Sequence, residues 1–133
     1  MDPIFLDQEA VLALYADIAE TIGVGIGGID EAKLGGAVGR PLSVYWYTNP
    51  PPSIPELAAC TAYTIAKAHA FGDGNKRTAL TALALFLEQN GWFLIADGLE
   101  LATKIEDAVA NLISEEDFTR WVVRFSAPMN LED

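Results

Sequence analysis

The chain has 133 residues, 51% of them hydrophobic and 20% charged, with a formal net charge of −11 at pH 7. That length suits one ordinary domain able to bury a core, and the apolar content excludes a disordered or tail-like protein. The acidic balance argues against nucleic acid as a direct partner, because phosphate binding needs a basic footprint, and it suits solubility or a basic partner segment.

The opening residues, MDPIFLDQEA, lack the basic start and continuous apolar core of a signal peptide. Val11, Tyr15, Ile18 and Ile22 then mark one face of a first helix, with Asp7 placed to cap its start. The glycines of TIGVGIGGID end that helix. Gly23, Gly25 and Gly28 satisfy G-x-G-x-x-G, but a helix precedes them where a dinucleotide-binding turn requires a strand, so the segment reads as a helix-ending loop. Asp30 caps a second, short helix, DEAKLGGAVGR, which Pro41 terminates. Residues 41 to 55, PLSVYWYTNPPPSIP, carry no charge and read as non-helical because of three consecutive prolines. Tyr45, Trp46 and Tyr47 stand together there. Consecutive side chains cannot share one direction, so at least one faces outward, which leaves core packing and a docking surface both open.

Ser53 and Glu56 have the spacing of a capping box and open a helix through about Ala68. Ala58, Ala62, Ile65 and His69 follow at helical spacing, placing His69 at the C-terminal edge of a small-residue face. Cys60 on this helix is a small buried hydrophobe, and as the lone cysteine it forms no intrachain disulfide and needs no oxidising compartment. After a turn at Gly72 to Gly74 comes a long helix, roughly Asn75 to Asn90, ended by Gly91. Its stretch ALTALALFLE is apolar on nearly every side and marks the central helix of a bundle. WFLI is a short extended segment. Leu101, Ile105, Ala108 and Leu112 stripe a further helix, and Ser114 and Asp117 box the start of another that carries Phe118, Trp121, Val122 and Phe125 on one face. The tail SAPMNLED is expected to fray. No uncharged apolar run reaches the roughly 18 residues of a membrane span, and the sequence has no repeat or domain linker. The expectation is one all-α domain over residues 1–133, in the cytosol.

The chemistry gathers in KAHAFGDGNKRTAL, residues 67 to 80, which holds the only histidine and three of the eight basic residues, Lys67, Lys76 and Arg77. A lone histidine is ordinarily structural, but its neighbours change that reading. A helix beginning near Asn75 exposes unpaired backbone N–H groups, and its dipole adds partial positive charge. With Lys76 and Arg77 in its first turn, that start is an anion site. The spacing G-x-x-x-x-G-K-[ST] of a P-loop is absent. Asp73, a short hard carboxylate, is placed to hold a magnesium ion between itself and phosphates. His69, about one turn away, can take a proton from an incoming hydroxyl. Base, metal ligand and phosphate cradle together point to phosphate-group transfer from a nucleotide with Mg2+.

At these residues, His69-Ala70-Phe71-Gly72-Asp73-Gly74-Asn75-Lys76-Arg77, the sequence resembles the Fic/Doc family, and specifically its Doc (death-on-curing) branch. The branch motif reads H-x-F-x-[D/N]-x-N-K-R, against H-x-F-x-[D/E]-G-N-G-R in Fic adenylyltransferases. GGIDEAKLGGAVGRP, NKRTALTALALFLEQNG and LISEEDFTRWV also look like Doc-branch segments, so the resemblance covers most of the chain. It implies a compact Fic/Doc-type helical bundle around a central apolar helix, and ATP as the co-substrate. It makes His69 the catalytic base, Phe71 the apolar anchor of the loop and Asp73 the magnesium ligand. Asn75, Lys76 and Arg77, with Gly74 beside them, become the binders of the nucleotide's phosphates, and nothing is carried over to Lys67. Lys76 replaces the glycine whose bare backbone lets a phosphate chain lie close in Fic enzymes, and Leu80 stands where those enzymes often place a second arginine. Both departures fit the Doc pattern, in which the nucleotide binds reversed and the γ-phosphate is transferred. The implied protein is the toxin of a toxin–antitoxin system. It would be a kinase acting on a hydroxyl of a translation factor, elongation factor Tu by resemblance, arresting growth unless its cognate antitoxin silences it. A Fic-type adenylyltransferase and a non-catalytic nucleotide-binding module are the alternatives, and the intact motif argues against the second.

Overall fold

Side-chain caps set most of the helix starts. In the computed structural model, which describes residues 2–23 and 28–130, the order is α1 (Gln8–Ile22), α2 (Glu31–Tyr47), α3 (Ile54–Ala68), α4 (Asn75–Gln89), β1 (Trp92–Leu94), α5 (Gly98–Val109), α6 (Glu115–Arg124) and β2 (Ser126–Pro128). Asp7, Asp30, Ser53, Asp97 and Ser114 each accept a first-turn N–H of the helix that follows. Ser53 with Glu56 and Ser114 with Asp117 form full capping boxes, as their spacing predicts. Only α4 starts without a side-chain cap. Gly23 ends α1 in the left-handed conformation, φ 78°; Gly25 of the glycine pattern lies outside the described residues.

The predicted all-α bundle is the observed one, and its centre is the α3–α4 pair. Ten of the fifteen residues of α3 are buried, including Leu57, Ala58, Ala62 and Ile65, while α4 buries Thr78, Ala79, Ala82, Leu83, Phe86 and Leu87. The apolar stretch of α4 therefore marks one partner of a central pair, and α3 is the more deeply enclosed. Its alanines let α2, α4, α5 and α6 all pack against it. On α1 the buried stripe is Val11, Tyr15 and Ala19, and Ile18 and Ile22 are only half-buried. No helix among the described residues is long and apolar enough to cross a membrane.

Three expectations are corrected. The second helix does not stop at Pro41 but runs through it to Tyr47, so residues 41–47 are helical and only the later prolines break the chain. An internal proline removes the N–H that would bond the carbonyl four residues back, here Ala37. The Thr64 hydroxyl of α3 lies 3.0 Å from that oxygen, its hydrogen shared with the Cys60 and Thr61 carbonyls at 2.9 and 3.1 Å. A neighbouring helix thus relieves the defect. Helical geometry also parts the three aromatics: Tyr45 packs on Phe5, and Trp46 and Tyr47 face outward. Secondly, Leu112 is 74% exposed, because α5 ends at Val109 before the stripe reaches it. Thirdly, the tail does not fray from Ser126. Residues 126–128 pair antiparallel with β1, Phe93 opposite Ala127, and the ladder is prolonged by Ile95 N–H to the Phe125 carbonyl and Met129 N–H to the Gly91 carbonyl. Phe118 and Val122 anchor α6 in the core and deliver the chain to that position.

Two outcomes follow from this packing. Thr64→Val leaves the Ala37 carbonyl without its donor and is expected to lower stability by about 1–3 kcal/mol in urea unfolding, whereas Thr64→Ser stays close to the parent. Equal loss in both variants would assign the effect to methyl packing instead. Burial pushes the Cys60 thiol up to about 11, so only about a thousandth is thiolate at pH 8. Iodoacetamide should label it slowly in the folded protein and readily in urea, and mass spectrometry that finds equal rates would contradict the burial.

Candidate active site

The link between α3 and α4 is built by four local features. His69 closes α3 in the left-handed conformation, φ 50° and ψ 44°, a region that non-glycine residues enter only at a cost of about 1–3 kcal/mol. His69 is consequently exposed just beyond the helix end, at the C-terminal edge that the spacing predicts. Phe71 turns inward, 4% exposed, and stacks on Tyr15 of α1 with ring centroids 3.9 Å apart and planes 5° from parallel. The Asn75 carboxamide clasps the Phe71 backbone from both sides, donating to its carbonyl at 2.8 Å and accepting its N–H at 3.1 Å. Ile29 forms a bridge with Phe71, and the Asp30 N–H donates to the Ala70 carbonyl at 2.8 Å. The loop is held from α1, from α4 and from the approach to α2.

Gly74 then starts α4 at φ 84°. A Cβ there would make only ordinary contacts with Tyr15 and Ile18, so the backbone conformation, not space, selects glycine. Asp73 Oδ1 accepts the Gly74 N–H at 2.8 Å. With no capping side chain, the first-turn N–H groups and the positive end of the helix dipole are left to an outside anion. Among the described residues Lys76 and Arg77 make no ion pair, and both are exposed.

These groups open on a cavity of about 720 Å3. All six residues singled out from the sequence, His69, Asp73, Gly74, Asn75, Lys76 and Arg77, line it. Asn75 does so with its side chain already engaged by Phe71, leaving its backbone as the part an anion can use. Lys67 does not line it. Its ammonium donates to Asn111 Oδ1 at 2.6 Å and lies 5.7 Å from the Tyr63 ring centroid, tying α3 to the turn after α5. Sequence reasoning missed the remaining walls: Ile18 and Ile22 from α1, Thr81 from α4, and Ala102 and Glu106 from α5. The two isoleucines carried a signal, a helical stripe, but it reads equally as core. Glu106 carried none, since only the packing of α5 on α4 brings it to the loop. Leu80, noted only for an absent arginine, is a further wall.

No group of three or more His, Cys, Asp or Glu able to hold a metal occurs among the described residues, which does not suit a zinc-type cage. Asp73 alone suits magnesium, an ion that keeps several waters and is bound by one or two carboxylates together with substrate phosphates.

The model of the Fic/DOC family matches residues 5–87, from the approach to α1 through the loop and most of α4. A relative, "Toxin Doc" of Mycolicibacterium smegmatis, is 40% identical over 68 residues, 51% of this chain and 52% of that protein. The chain thus matches about half the length of that relative.

Removing the clasp should be visible directly. Asn75→Ala deletes two loop hydrogen bonds, each worth about 0.5–1.5 kcal/mol. The Phe71 amide is expected to exchange with deuterium faster in the variant while amides of α3 keep their protection. Unchanged exchange at Phe71 would show that the Tyr15 stack holds the loop without it.

Proposed function

The chain belongs to the Fic/DOC family, and we propose on that footing that it is a Doc-type toxin of a toxin–antitoxin system acting as an ATP-dependent protein kinase. The observation that carries the reading is the meeting, in one cavity, of the only imidazole with an uncapped helix start bearing Lys76 and Arg77. The relative's name, Toxin Doc, supports the toxin role. The partners in this reading are a cognate antitoxin and a translation factor, elongation factor Tu by the family resemblance, with no nucleic acid and no membrane.

The residues divide the work as follows. The first-turn N–H groups of α4, with Lys76 and Arg77, hold the terminal phosphates and take up the charge that develops on the transferred group. Asp73, together with phosphate oxygens, would hold a magnesium ion, which when bound would further neutralise that charge. His69 accepts the proton of the target hydroxyl through a ring nitrogen. The freed oxygen bonds to the γ-phosphorus, the bond from that phosphorus to the β–γ bridging oxygen breaks, and ADP leaves with the electron pair. The phosphate stays on the target. The left-handed backbone at His69 directs the imidazole out of α3 toward the reacting groups, which gives the local strain a use.

The second reading within the family is AMP transfer. Lys76 weighs against it: a lysine sets a mobile point charge for a terminal phosphate where a glycine would let the backbone approach a diphosphate. With a cell lysate and ATP labelled separately at each position, label is expected on protein from γ-labelled and not from α-labelled ATP. The opposite pattern overturns the kinase and leaves the family. His69→Ala should fold normally and lose about 10²- to 10⁴-fold in rate, with toxicity abolished, and a folded His69→Ala that still arrests growth would make His69 structural. Lys76→Gly is expected to lose the γ-transfer.

A further inference from the structure

The cavity holds one charged group that neither the motif nor the proposed reaction uses. Glu106 lies on its wall from α5, forms no ion pair among the described residues, and is exposed. A bare carboxylate beside a phosphate cradle is unfavourable for the phosphates themselves, since like charges repel most in a cleft with low-dielectric walls. It is favourable only for a part of the ligand that brings hydrogen-bond donors. Its surroundings narrow the choice. Ala102, one helical turn before Glu106 on the same face of α5, adds no bulk. Leu80 stands across on α4, five residues beyond Asn75 and so about 7.5 Å further along the helix axis. Ile18 and Ile22, also one turn apart, supply the α1 wall. A cationic loop, apolar walls and one separate carboxylate match the parts of a nucleotide: phosphates, a flat base, and a sugar with vicinal hydroxyls.

We infer that Glu106 is a specificity-determining residue that accepts hydrogen bonds from the ribose hydroxyls of the nucleoside triphosphate, fixing which end of it faces His69. A carboxylate has two oxygens and no donor in its ionised form, so it suits a pair of neighbouring hydroxyls, the same chemistry by which acidic side chains read ribose in dinucleotide folds. Glu106 orients the nucleoside and takes no part in bond making. The inference rests on the phosphate-site reading above, and it adds to that reading the requirement that the ligand be a ribonucleotide and not merely a polyphosphate.

The test is calorimetric titration of the parent and of Glu106→Gln with ATP, 2′-deoxy-ATP and inorganic tripolyphosphate, each with magnesium and with chelator. Among the described residues the Glu106 side chain makes no ion pair, and the bond its backbone carbonyl accepts from the Ala110 N–H is kept in the variant, so unchanged thermal melting is expected and checks the variant. The parent should bind ATP about tenfold more tightly than 2′-deoxy-ATP, the size of one hydrogen bond to a charged group. In Glu106→Gln that discrimination should fall to nearly onefold, with tripolyphosphate affinity unchanged or improved. Discrimination that survives the substitution overturns the inference and leaves the phosphate site standing. A loss of ATP affinity confined to the magnesium titrations also overturns it, and makes Glu106 a metal ligand. If neither ATP nor tripolyphosphate binds the parent, the phosphate site fails and this inference fails with it.

Discussion

The position of the functional groups depends on how one phenylalanine is held. Phe71 stacks on Tyr15 while the Asn75 carboxamide closes on both sides of its backbone. The stack anchors the loop to α1, and the clasp ties its middle to the first residue of α4. Between them the path from His69 to Gly74 has almost no freedom left, so the imidazole and the start of α4 must face the same space. Aromatic burial supplies most of the energy, and the paired hydrogen bonds supply direction, because a side-chain amide can satisfy a donor and an acceptor at once only in one orientation.

That constraint explains why local structure can be less than optimal in this loop. Five helices begin at a capping aspartate or serine, and the sixth begins at a left-handed glycine with no cap. A glycine in place of a capping side chain costs about a few tenths of a kcal/mol, and a left-handed histidine adds about 1–3 kcal/mol. Both lie in one loop, and both leave polar groups available to a ligand. The rest of the bundle offsets them: a deeply buried α3, and the bidentate Arg40–Glu115 pair at 2.7 and 2.9 Å joining α2 to α6.

Charge follows the same division. The chain carries a net −11, yet Lys76 and Arg77, without an ion pair among the described residues, stand at the mouth of α4. Two cations gathered at one helix start on an acidic molecule attract anions locally while the remaining surface repels them, which favours a compact phosphorylated ligand over an extended polyanion. Lys67 shows that position in the chain does not decide this. It belongs to the same run of sequence, but its ammonium bonds Asn111 and serves the fold.

The sequence by itself determined the parts governed by short-range rules. Capping boxes at Ser53 and Ser114 and the stop at Gly91 are all decided within one or two helical turns, and they read correctly because backbone hydrogen bonding is local. What only the tertiary structure decided are features completed by a partner distant in the chain. Pro41 stays helical because Thr64 of another helix approaches the carbonyl it orphans, and the tail becomes a strand because β1 offers it an edge. Glu106 reaches the cavity only because α5 packs on α4. Periodicity shows which residues share a face, but which face meets which is fixed by burying the apolar surface of the whole chain at once, and no local window contains that information.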